Sequence, residues 1–287
     1  MTNIRNVVIG AVVSAIVVGI VVSCGGGGGY SGGASSPGAT GTVVRSAALN
    51  GAQAGLPAVT ATGRGAVVVN PTTMEITGGI TFLGLTGAPT DGAHIHNQAV
   101  LGDPIIIGLT ISGDNATAVV PPGSALTSAQ YQALLNGQLY FQVHTTANPG
   151  GEIRGQITGT TGVTAGLATL SQANEVNKPV PSSGTGQGTL VVDSTTREII
   201  VAYATYSGLT EAPNAAHIHT GPPGTDGAIR INLTPVSGIA FAPTPATPPV
   251  TISAQDMSDL AIGYLYFQVH TPNNNPLGEI RGQIAVQ

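Results

Sequence analysis

Two tandem all-β domains are predicted for this chain, each an antiparallel β-sandwich of Greek-key type with one short helix. Three observations predict them. The 287 residues suffice for two ordinary domains, and one set of motifs recurs 123 residues on, from His94 to His217. Charged residues are only 7% of the chain while Gly (42) and Pro (20) are abundant, which suits short strands joined by many turns. The apolar set is dominated by Val, Ile, Leu and Ala with no Trp, and it alternates with polar residues along the strands that carry the motifs.

In chain order, the first element stands outside the fold. Arg5 precedes Val7 to Val22, an uncharged apolar run of 16 residues. As a helix it is about 24 Å long, short against a hydrocarbon core of about 30 Å. The run ends in Val21-Val22-Ser23-Cys24, and Cys24 is the only cysteine, so neither an internal disulfide nor a cysteine metal cluster is available. The segment resembles a bacterial lipoprotein leader, with valine at 21 where leucine is usual. Residues 1–23 are therefore expected to be a signal peptide and Cys24 the lipidated anchor, with an uncleaved N-terminal helix as the alternative. Either places the bulk outside the cytoplasm, membrane-anchored at the outer membrane, in the periplasm or at the cell surface. Residues 24–41 continue as a Gly/Ser-rich linker that spans about 23 Å as a coil.

The two repeats occupy 42–160 and 164–287, and Thr158 to Val163 has the composition of a connector between halves expected to fold independently. Each repeat opens with an extended segment, Val43 to Leu49 or Gly166 to Leu170. A Gly-x-Gly follows at 63–65 and 186–188. Strands Ala66 to Asn70 and Met74 to Leu83 flank a turn at 70–73, as Thr189 to Asp193 and Arg197 to Tyr206 flank one at 193–196. Short helices are predicted at Ser128 to Asn136 and Ala254 to Ile262, capped by Thr127 and Ser253 with Gln130 and Asp256 at N3, and ended by Gly137 and Gly263. A last hairpin joins Leu139–His144 to Glu152–Ile157, and Leu265–His270 to Glu279–Ile284.

All six histidines lie in the repeated motifs: His94, His96 and His144 in the first copy, His217, His219 and His270 in the second. Residues two apart share a strand face, so His94 and His96 project together, as do Tyr140, Gln142 and His144, opposite the Ile, Val, Phe and Leu set. Imidazoles at i and i+2 have Cα atoms about 6.5 Å apart, close enough for both rings to reach one ion about 2 Å from each nitrogen. A third histidine completes a set that suits Zn or Cu. Glu152 and Glu279 are placed to orient an imidazole. The alternative is structural: each ring N–H bonds a backbone carbonyl or the glutamate and pins a loop. Glu152 with Arg154, and Glu279 with Arg281, have the spacing of a same-face ion pair. The recurring arginine reads as a fixed part of the fold, reaching a carboxylate or carbonyl across the hairpin. No Ser-His-Asp order, phosphate-cradling loop or cysteine nucleophile is present, and a formal charge of −5 argues against nucleic acid.

Ala-His-Ile-His, Tyr-Phe-Gln-Val-His-Thr and Gly-Glu-Ile-Arg-Gly-Gln, in that order and twice, resemble the CHRD domain, named for the repeats of chordin. The second copy also carries the family's opening, Leu170-Ser171-Gln172-Ala173-Asn174-Glu175-Val176, whereas the first has Ala54 where the family has glutamate. The resemblance implies an extracellular β-sandwich module, found in chordin within a protein that binds growth factors. His-x-His on a strand with further histidines and an arginine is also similar to copper-zinc superoxide dismutase, although the second metal's ligands and the disulfide cysteines of that family are missing. The function expected first is a non-enzymatic binding or structural role in a lipid-anchored extracytoplasmic protein, its partners the membrane and a protein or surface ligand. The alternative is a copper- or zinc-binding carrier or dismutase-like redox protein with one three-His site per domain.

Overall fold

The computed structural model describes residues 41–287 except 91, 114 and 242–249. The expected signal peptide, Cys24 and all but the last residue of the linker lie outside the described residues. Among the described residues no helix is long and apolar enough to cross a membrane.

The first half contains β1 (Val43–Asn50), β2 (Thr62–Val69), β3 (Ile76–Leu83), β4 (Ala93–Asn97), β5 (Ile105–Gly108), β6 (Thr110–Ile111), β7 (Thr117–Val119), α1 (Ser128–Leu135), β8 (Leu139–Val143) and β9 (Ile153–Gln156). The second contains β10 (Val163–Ser171), β11 (Thr185–Asp193), β12 (Ile199–Ser207), β13 (Ala215–Thr220), β14 (Ile229–Val236), β15 (Ile239–Phe241), α2 (Ala254–Ala261), β16 (Leu265–His270), β17 (Ile280–Gln283) and β18 (Ala285–Val286). The predicted all-β tandem is what forms. Each half is one antiparallel sheet folded over its own core, in the order β5-β4-β8-β9-β1-β2-β3-β7-β6 for the first. In the second, the order β11-β12-β15-β14-β13-β16-β17-β10-β18 is closed by pairing of β10 with β11. Closure removes the unpaired edges that an open sheet would leave.

The alternation read from the motifs decides which side chains enter each core. Ile95, Phe141, Val143 and Ile153 point inward with Leu49, Val67, Ile80 and Phe82, and Ile218, Phe267, Val269 and Ile280 do so in the second half. The repeated Gly-x-Gly makes room for the motif phenylalanine: a Cβ at Gly65 would stand 2.8 Å from the Phe141 ring, and one at Gly188 would stand 2.2 Å from that of Phe267. Both helices start with the expected capping boxes, Thr127 with Gln130 and Ser253 with Asp256. Asn70 and Asp193 hold the two predicted turns by accepting from the amides two and three residues on.

The connector is not a free linker. Ser46 pairs with Gly159, the Ser194 amide donates to the Gly162 carbonyl, and Val163 already begins β10. The halves also meet over a buried cluster formed by Ala66, Val68 and Val119 of the first and Ala165, Val191, Ile200, Val201, Tyr203, Ile239 and Phe241 of the second. Runs such as Ala66 to Val69 and Ile199 to Ala204 are apolar on both parities because both faces are covered, one by the domain's own core and one by the other domain. The Tyr203 hydroxyl accepts from the Gly78 amide (3.1 Å), and Arg64 pairs with Asp193 and Glu198. The Thr196 amide and the Arg64 guanidinium hold the Asp193 carboxyl below the usual range, so the turn residue of the second half also serves the contact.

Candidate metal centres

Two strands build each centre. β4 pairs with β8 so that His96 lies opposite Tyr140 and His94 opposite Gln142, and the His144 amide extends the ladder to the Gly92 carbonyl. In the second half His219 faces Tyr266, His217 faces Gln268 and His270 faces Ala215. A bulge sits beside the second histidine of each pair: Ile106 of β5 and Arg230 of β14 are the extra residues, between Ile95/His96 and Ile218/His219. Such bulges re-aim neighbouring side chains. The result is convergence, since one ring nitrogen from each of His94, His96 and His144 lies within 4.8 Å of the others, and the same holds for His217, His219 and His270. Three nitrogens about 2.0–2.1 Å from one ion stand roughly 3.3–3.5 Å apart, so closure needs shifts of about an ångström.

The tautomers are set by backbone carbonyls. His96 Nδ1 lies 2.8 Å from the Asp103 carbonyl and His144 Nδ1 2.9 Å from that of Pro149, while His219 and His270 meet Gly227 (2.9 Å) and Pro276 (3.2 Å). A carbonyl only accepts, so these Nδ1 atoms carry protons and the Nε2 lone pairs are left for the centre. In the first domain His94 Nδ1, His96 Nε2 and His144 Nε2 are buried without a hydrogen-bond partner. Burial, then neighbouring imidazoles, holds His94 and His217 below the usual histidine range. Burial outweighs the carbonyl hydrogen bonds at His96 and His219 and pushes His270 to about 4. Neutral imidazole is the form that ligates a metal.

An aromatic and a guanidinium support each centre from one side. His96 stacks on Tyr140 (centroids 5.0 Å, planes 5° apart) and Arg154 Cζ lies 3.4 Å from the centroid of the tyrosine ring. His219, Tyr266 and Arg281 repeat the sandwich at 5.1 and 3.5 Å. Arg281 is buried and donates to the Thr225 and Pro222 carbonyls, so it braces the loop whose Gly227 carbonyl fixes His219. Arg154 reaches Gln98 Oε1. Both arginines are held within the fold, but neither reaches across the hairpin: Arg281 meets carbonyls of the loop between β13 and β14, and Arg154 a side-chain amide just after β4.

The expectation for the glutamates needs correction, because neither orients an imidazole nor pairs with the arginine two residues on. Glu152 is fully buried and accepts from the Thr86 amide and hydroxyl, the Thr145 hydroxyl and Asn148. Glu279 accepts likewise from Thr210, Thr271 and Ser182. Each carboxylate clasps the segment before the His-Ile-His strand to the last hairpin. Burial pushes both upward, but the hydrogen bonds win and leave them below the usual carboxylate range. Sequence reasoning also missed the carbonyls that fix the tautomers. Their one trace was a proline five or six residues after the third histidine, at 149 and 276, in hairpins of unequal length. Glu175, the family glutamate absent from the first copy, lies buried against Gln268 (2.7 Å) and is pushed up to about 7 by that burial.

The fold and the motifs agree with the comparison against protein families. No curated protein and no solved structure matches the chain. The model of the CHRD domain matches residues 45–157 and 167–284, which covers both cores and both histidine clusters. With most of its length matched, the chain belongs to the CHRD-domain family, which it carries in two tandem copies.

Proposed function

We propose that this protein is a non-enzymatic metal-binding protein of the cell envelope that holds one zinc or copper ion in each CHRD domain. One observation carries the reading: three imidazoles from two paired strands bring nitrogens within 4.8 Å of one another, with the opposite nitrogens of two of them committed to backbone carbonyls. Histidines serving only to pin loops would need the carbonyl contacts but not the convergence of the remaining nitrogens. Three protein ligands leave a further coordination position, and imidazole suits both metals. Purified residues 25–287, prepared without a metal-binding tag, are expected to carry about one ion per domain, and His96→Ala to lose the first while keeping the second. Loading should weaken as pH falls through the imidazole range, because protons compete for the same lone pairs. Protein that contains no stoichiometric metal, takes none up from Zn²⁺ or Cu²⁺ and melts unchanged with chelator would leave the histidines as loop pins.

The envelope location rests on the apolar run that ends at the sole cysteine. Cys24→Ser is expected to abolish labelling by a fatty-acid probe and to release the protein from membranes. Equal labelling and retention in both forms would favour an uncleaved helix instead.

A further inference from the structure

We propose that the two centres exchange metal at different rates, the first quickly and the second slowly. The inference rests on the metal-binding reading of both centres and goes beyond it by making them inequivalent. Two independent features distinguish them.

The first is a hydrogen bond between ligands. In the second domain His217 Nδ1 lies 3.0 Å from His270 Nε2. Because His270 Nδ1 is directed at the Pro276 carbonyl, the neutral ring keeps its proton there and its Nε2 accepts, so His217 Nδ1 is the donor. Metal entry must break this bond and move the His217 proton from Nδ1 to Nε2. The first domain has no such latch, since His94 Nδ1 and His144 Nε2 are both unpartnered.

The second is cover. The segment between β10 and β11, residues 172–184, is two residues longer than its counterpart between β1 and β2, residues 51–61. It is tied to the strand and hairpin that carry His270: Glu175 accepts from Gln268, Ser182 donates to Glu279, and the Val180 amide donates to Asn275 in the hairpin after His270. Gln268 and Arg281 are 2% and 1% exposed, and His270 is buried. At the matching places of the first domain Ala54 offers no carboxylate, and Arg154 and His144 are half-buried. The unpartnered ligand nitrogens are buried in both domains, but the third histidine lies deeper in the second, where a tied segment adds cover that a chelator or carrier must displace.

The test is release from loaded protein. Full mature chain saturated with Zn²⁺, or with Cu²⁺ if that is the ion retained, is freed of excess metal and mixed with a chromogenic chelator. Two phases of equal amplitude are expected, differing by about tenfold or more, the ratio set by opening one hydrogen bond of the segment tied beside the second centre. The bond between His217 and His270 is already broken in loaded protein and slows uptake instead. His96→Ala should leave the slow phase and His219→Ala the fast one. Glu175→Ala should speed the slow phase without changing the fast one, and it leaves every ligand in place should a histidine variant fold poorly. Two ions released in a single phase, or a slow phase that disappears with His96→Ala, would overturn the inequivalence and leave the metal reading intact. Failure to retain either ion would overturn the metal reading itself.

Discussion

Residues 42–160 and 164–287, produced as separate chains, are expected to lose cooperative unfolding or to associate through the face that parting exposes. That face holds Val68, Val119, Val191, Ile200, Val201, Ile239 and Phe241, each buried in the intact chain. Burial of such a side chain contributes about 1.5–3 kcal/mol, so removing the cover from several is comparable with a whole domain stability of about 5–15 kcal/mol. Parting also strands the Tyr203 hydroxyl from the Gly78 amide and Arg64 from Asp193 and Glu198. In the full chain, Tyr203→Ala should lower stability by about 3–5 kcal/mol through the cavity it leaves, while both halves still melt in one transition. Calorimetry of the fragments and the variant checks this. Two monomeric fragments that each melt cooperatively near the full-chain temperature would show that the shared cluster is incidental.

Glu279→Ala is expected to destabilise the protein by about 3 kcal/mol or more, and Glu152→Ala by a similar amount. The Glu279 carboxylate accepts four hydrogen bonds, from the Thr210 amide and hydroxyl, Thr271 and Ser182, and its removal leaves buried donors without an acceptor. For a unit of this size the melting temperature should fall by about 6–12 °C. Direction with pH follows from the depressed carboxyl. Its stabilisation is complete above the unfolded value of 4.5 and is lost as pH falls through the lower folded value. The gap between wild type and Glu279→Ala should therefore be widest near neutrality and narrow in acid. A melting temperature within 2 °C of wild type at pH 7 would refute the clasp.

The clasp also shows where strand parity stops being informative. Alternation placed Glu152 with Arg154 on the polar face, and at Arg154 it succeeded, because both neighbours of that residue are paired strand positions. Glu152 stands just before β9, where the chain is already turning, so its side chain follows the loop into a buried pocket of threonines. Within strands the pattern was reliable. Ile95 and Phe141 entered the core, while His94, His96 and Tyr140 gathered on the other face.

What the sequence by itself determined was the repeat, the all-β class, both capped helices, the main hairpins and the six candidate ligands. These rest on local chemistry, namely turn residues, capping boxes and a two-residue period, which need no knowledge of distant segments. Only the tertiary structure decided that β4 lies beside β8, so that the third histidine joins the first two, and that the adjoining loops curl back to bring carbonyls onto the rings and choose the tautomers. It also decided that the halves share a buried face. Ala66 to Val69 is apolar on both parities whether its outer face meets a second layer of the same domain or a second domain, and which it meets depends on how the whole chain packs.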